Sequence, residues 1–182
     1  MSRITAIDPA QASGKTAELF TAVKSRLGLV PNLARTLGHS PAALEAYLGF
    51  SGTLAKGVLS AKVREQLALT IGETNSCDYC LSAHSLMGKG AGLSPEAIID
   101  ARLTRAEDPK TDALLKFAAL VVEDRGLVSD EALASMRAAG ASDAEIIEVI
   151  AHVALNTLTN YTNHIAKTVI DFPKAVALSA SV

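Results

Sequence analysis

Four times in this chain an Asp or a Ser stands directly before a proline that opens an apolar stretch: Asp8-Pro9, Ser40-Pro41, Ser94-Pro95 and Asp108-Pro109. A side-chain acceptor at N-cap followed by a ring-fixed φ is the start of a helix. Ser129 precedes Asp130-Glu131, whose charges suit the positive end of a helix, and Ser142-x-x-Glu145 has the form of a capping box. Gly28, Gly57, Gly92, Gly126 and Gly140 fall where the preceding helices would end. Ala is the commonest residue, Leu the next, and β-branched alternation is scarce. The fold class is therefore all-α. The spacing predicts helices near 9–27, 31–38, 41–56, 60–75, 77–90, 95–103, 109–125, 130–139 and 143–170. Connections are short and no low-complexity linker divides the chain, so a single domain over 1–182 is expected. The tail from Ala175 to Val182 lacks charge and caps and is expected to fray or to dock on a partner subunit.

A chain of 182 residues buries a core without disulfide staples. Its 17 Lys and Arg against 19 Asp and Glu give no electrostatic attraction to nucleic acid or to an anionic membrane. With no Trp, three Tyr and four Phe there is little surface for stacking bases. No signal-peptide core opens the sequence and no apolar run approaches the ~18 residues of a membrane helix, so a soluble, cytoplasmic protein is expected.

In a reducing compartment, two lone cysteines spaced Cys-x-x-Cys point to redox or metal chemistry. They are Cys77 and Cys80, in the core motif 60–91. Asn75-Ser76 can break one helix and cap the next, which puts Cys77 in a first turn and Cys80 about one turn later. Both thiols then feel the positive helix end, which lowers a thiol pKa. The usual Cα separation for a disulfide, about 5–6 Å, is available across such a turn. His84 lies four residues beyond Cys80 on the same face and can accept its proton. Glu65 lies ten residues before Asn75, about 15 Å along its helix, and His84 nine residues after it. If the two helices fold back antiparallel, Glu65 and His84 come level, giving a nucleophile, a base and an orienting carboxylate. A closed zinc site wants four ligands; Cys-x2-Cys-x3-His supplies three and a carboxylate or His164 could be the fourth, but a CxxC without other cysteines is seldom a complete site, and no metal is expected. Tyr79 and Glu73 read more readily as structural than as catalytic.

Farther on, Glu148, His152, Asn156 and Asn160 recur every four residues, and His164 extends the series. Such a stripe needs partners if buried. It would line the cleft opposite the cysteines, form a subunit interface, or make a structural network. A shift of 80 residues also maps Glu65, Cys77, Cys80 and His84 onto Glu145, Thr157, Asn160 and His164; only two residue types coincide, which favours coincidence over duplication.

The motif Glu-x11-Cys-x-Tyr-Cys-x3-His resembles the active site of the AhpD-like alkylhydroperoxidases, in the carboxymuconolactone decarboxylase superfamily. Val30-Pro31-Asn32, Leu93-Ser94-Pro95-Glu96 and Asn160-Tyr161-x-Asn163-His164 are similar to peroxidase-related members, and the resemblance covers roughly residues 20–173. It implies an AhpD-like multihelical bundle, assembled as a homotrimer or hexamer. It implies that Cys80 is the peroxidatic thiol and Cys77 the resolving thiol, with His84 as base and Glu65 as its relay partner. Tyr79 stands where AhpD proteins often carry His, and it and His164 are possible accessory residues. The implied partners are a hydroperoxide substrate and an external dithiol or thioredoxin-like reductant, with no cofactor. The alternatives are a non-peroxidatic CxxC redox switch or metal clip, and a carboxymuconolactone decarboxylase-like enzyme.

Overall fold

The computed structural model describes residues 2–178, and among these there is no strand. After a 3-10 turn at Pro9–Gln11 come α1 (Gly14–Leu27), α2 (Asn32–Leu37), α3 (Pro41–Leu54), α4 (Ala61–Thr74), α5 (Asp78–Gly90), α6 (Pro95–Arg102), α7 (Pro109–Glu123), α8 (Asp130–Ala138) and α9 (Asp143–Ala166). The foreseen caps form, and Ser60 joins them. Ser40, Ser60, Ser94, Asp108, Ser129 and Ser142 each accept the N–H three residues on, and Ser142 and Glu145 close a reciprocal box.

Three boundaries differ from the expectation. The helix foreseen at 9–27 is broken, because Ala12 and Ser13 are extended and Ser13 stands at the N-cap position of a fresh start without a side-chain capping bond. That break lets Ile7 and Ala12 pack against the cluster formed by α1, α2 and α3. The last helix stops at Ala166 rather than 170, where Lys167 enters the left-handed region at φ 48 and Thr168 N–H donates to the Asn163 carbonyl. The third concerns Gly57, which does not have a positive φ. It is small because a Cβ there would collide with the Glu148 carboxylate. That carboxylate is tied down by the Val58 and Leu59 N–H groups at 2.8 and 3.1 Å.

Helix α4 is the axis of the molecule. Every residue from Gln66 to Gly72 is buried, and the helix packs against α5, α6, α7 and α9. Its Leu67, Leu69 and Ile71 join Leu114, Leu115, Phe117 and Val149 in the main core. A second cluster, built on Phe20, Val23, Leu37 and Leu44, holds α1, α2 and α3. The segment from Thr168 onward runs as a strap. Asp171 accepts the Asn32 N–H at the start of α2 at 2.8 Å, and the Ala175 N–H donates to Ser82 Oγ at 3.1 Å. The start of the tail thus docks on its own chain; Ser179 to Val182 lie outside the described residues. The 80-residue echo has no structural counterpart, since 60–90 is a helical hairpin and 143–166 one unbroken helix.

Candidate active site

The α4–α5 hairpin brings the motif together. At its tip the Ser76 N–H donates to the Glu73 carbonyl and the Cys77 N–H to the Gly72 carbonyl, which is a Schellman arrangement. Its left-handed position, normally glycine, is filled by Ser76 at φ 55. Ser76 therefore ends α4 and does not cap α5. The N-cap is Cys77 itself, whose sulfur accepts the Cys80 N–H at 3.4 Å. Gly72 packs beside Leu81 and Cys80, at distances where a Cβ would make ordinary contact.

Farther along the hairpin Glu65 and His84 do come level. His84 Nδ1 donates to Glu65 Oε2 at 2.8 Å. This fixes the tautomer and leaves Nε2 for chemistry. Burial works against the charged imidazole, but the Glu65 carboxylate and the Cys80 sulfur outweigh it, and the His84 pKa is raised. Cys77 and Cys80 are both free thiols, 1% and 3% exposed. The Cys80 pKa is lowered from the ordinary thiol value to about 6. The Cys77 thiol donating to its sulfur is the largest cause, burial opposes it, and His84, Asn163 and Asn160 add to the lowering. Cys77 is pushed the other way, first by donating to Cys80 and then by burial. Asn163 Nδ2 also donates to the Cys80 sulfur, at 3.3 Å, whereas His84 makes no hydrogen bond to it. His84 acts on it through charge.

Tyr79 is turned away from the relay. Its hydroxyl accepts the Leu33 N–H at 3.0 Å, and its ring meets Phe172 edge-on with centroids 5.6 Å apart. Glu73 pairs with the buried Arg102 at 2.7 Å, a structural contact. His164 is exposed and donates from Nε2 to the Ser76 carbonyl at 3.3 Å, steadying the hairpin tip. Among the described residues no three His, Cys, Asp or Glu side chains converge as a metal site.

The stripe on α9 divides. Glu148 holds the 58–59 loop and Asn156 donates to its own helix at the His152 carbonyl. Burial and then Arg64 lower the His152 pKa. Asn160 accepts from Asn75 at 2.9 Å and faces Cys80. Two residues at the site were not foreseen in any role there. Asn163, three residues after Asn160, continues the stripe on the i+3 step. Tyr47 of α3 sits near Cys80 and Glu65. Burial first, then those two groups, push its hydroxyl up to about 12. Nothing in the sequence around Tyr47 ties it to the cysteines.

Residues 41–124, which contain the whole hairpin, match the carboxymuconolactone decarboxylase family. An uncharacterized protein of Haemophilus influenzae is 38% identical over 69 residues, 37% of this chain, and the match spans 61% of that relative's length. Among solved structures, an uncharacterized peroxidase-related protein from Ralstonia eutropha JMP134, described as an alkylhydroperoxidase AhpD core, is similar in fold. Its TM-score is 0.83 at 23% identity, over 93% of this chain and 92% of the other. The debrominase Bmp8, in complex with 2,3,4-tribromopyrrole, has a TM-score of 0.78 at 19% identity, over 94% of this chain and 92% of that one. At such identities the structural likeness speaks for the fold, while the family match covers the cysteine hairpin. Residues 41–124 thus resemble the carboxymuconolactone decarboxylase family, and the chain has the fold of the AhpD-core structure.

Proposed function

We propose that the protein is a thiol-dependent peroxidase in which Cys80 is the nucleophile. The observation that carries the reading is the asymmetry of the pair: one buried thiol is lowered and the other raised, beside an imidazole held by a carboxylate. The Cys80 thiolate attacks the terminal oxygen of the hydroperoxide and the O–O bond breaks. The alkoxide leaves as the alcohol with the proton held at His84, and Cys80 becomes a sulfenic acid. Cys77, one helical turn away, attacks that sulfur; the disulfide forms and water leaves. An external dithiol or thioredoxin-like reductant then supplies two electrons by exchange. Glu65 keeps the imidazole charged and oriented. A reducing cytoplasm suits a pair that must be restored each cycle. The test is consumption of hydroperoxide with a dithiol donor by the wild type and by Cys80→Ser; equal rates would sink the assignment.

The debrominase that shares this fold favours one second reading, reductive dehalogenation by the same thiol pair. Bromide release from 2,3,4-tribromopyrrole, faster than hydroperoxide consumption, would replace the peroxidase reading with it.

The working unit in this reading is a homotrimer or hexamer. Ile147, Ile150, Leu158, Tyr161 and Ile165 are all exposed and fall on one side of α9. A contiguous apolar face of that kind marks an association surface, and closed symmetry is the usual result. Light scattering that returns one 18.9 kDa chain at every concentration would refute the assembly.

A further inference from the structure

Buried polar atoms almost always have partners, so those that lack one mark a place where something else binds. Four such side-chain atoms occur among the described residues: His152 Nε2, Asn160 Nδ2, Asn163 Oδ1 and Thr168 Oγ1. Two of the four belong to the residues that flank the Cys80 sulfur. Asn160 is 0% exposed and Asn163 5%. Each amide spends one end on the site's own framework: Asn163 Nδ2 on Cys80 Sγ, and Asn160 Oδ1 on Asn75 Nδ2. What remains is Asn163 Oδ1, an acceptor with no partner, and Asn160 Nδ2, a donor near enough to the same sulfur to lower its pKa but making no full hydrogen bond to it.

A hydroperoxide offers the complement: one O–H donor, and oxygens that accept. An alkyl halide or an iodoacetamide methylene offers no such O–H. We propose that Asn160 and Asn163 form an oxygen cradle over Cys80, with Asn163 Oδ1 accepting the peroxide O–H and Asn160 Nδ2 donating to the oxygen that Cys80 attacks. After attack the same two atoms hold the Cys80 sulfenic acid, whose O–H and oxygen replace those of the peroxide, until Cys77 displaces water. Asn163 touches both the nucleophile and the substrate, which makes it a catalytic residue; Asn160 touches the reacting oxygen.

This proposal rests on the peroxidase reading, and the experiment separates the two. Single-turnover reaction of Cys80 is followed in a Cys77→Ser background, with hydrogen peroxide and with iodoacetamide, each rate divided by the thiolate fraction from a pH titration. The wild-type residues should react with peroxide far faster than a free thiol of the same pKa. Asn160→Leu should lose about tenfold to a hundredfold of the corrected peroxide rate, as removal of one oxyanion donor does, with the iodoacetamide rate unchanged. Asn163→Leu should show the same selective loss, and its Cys80 titration should also move up by about one unit, from the lost hydrogen bond to the thiolate. Asn160→Ser and Asn163→Ser give the same comparison if the leucine variants do not fold. Equal loss with both reagents overturns the cradle and leaves the peroxidase standing. A wild-type site no faster with peroxide than a free thiol overturns both.

Discussion

Glu65→Gln keeps the shape and the hydrogen bond at His84 Nδ1 and removes only the charge. The pair is 2.8 Å apart between Nδ1 and Oε2, with each side chain 20% exposed. Charge centres about 4 Å apart interact by about 4 kcal/mol at an effective dielectric of ~20. Solvent at the exposed edge screens about half of that, leaving roughly 2 kcal/mol of attraction. The His84 pKa is raised in the wild type, so Glu65→Gln should bring it down. The imidazole then carries less charge near neutrality and lowers Cys80 less, so alkylation of Cys80 at pH 7 should slow by about threefold to tenfold. The stability effect has a defined sign. A raised folded pKa contributes stability that is fully present below the unfolded value of ~6.5 and is lost as pH rises through the folded value. The deficit of Glu65→Gln is therefore largest on the acid side of neutrality and fades above it. The assay is an NMR titration of the His84 ring beside a pH series of alkylation rates. A His84 midpoint that moves by less than a few tenths of a unit would refute the electrostatic role given to Glu65.

Mild peroxide should oxidise Cys77 and Cys80 to an intramolecular disulfide with little loss of helical circular dichroism; intermolecular dimers on a non-reducing gel would contradict the resolving role of Cys77. Ser76→Gly removes a side chain from the left-handed position at φ 55 and should stabilise by about 0.5–1 kcal/mol, a rise in Tm of about 1–4 °C by calorimetry. Gly57→Ala should destabilise by about 1–3 kcal/mol in urea, because the Glu148 carboxylate it meets is held by two backbone N–H groups and cannot retreat.

What could be read ahead of the structure was local. Ser40, Ser94, Asp108 and Ser142 signal their helices because a cap acts within three residues. The pairing of Glu65 with His84 was legible for a related reason: both are counted from one break, and the α4–α5 hairpin converts equal counts into equal heights. The same break hid the identity of the cap. Ser76 looks like an N-cap by type, but the Schellman bonds claim its backbone and pass the role to Cys77. The interruption at Ala12 and Ser13 answers to packing of Ile7 and Ala12 on a cluster drawn from three helices, which no local pattern encodes. Tyr47 and Asn163 reach Cys80 from α3 and α9, far along the chain from the motif. Asn163 alone left a trace, as the i+3 continuation of the polar stripe.

The claim that most needs testing is that the environment activates Cys80 and not Cys77. Thiolate absorbance against pH, measured on Cys77→Ser and Cys80→Ser, decides it. Serine keeps a hydroxyl where each thiol stood, so the remaining cysteine retains a hydrogen-bonding neighbour. The account predicts that Cys80 alone titrates well below the ordinary thiol range, near 6 in its native setting, while Cys77 alone titrates above that range. The opposite order, or two ordinary thiols, would contradict it.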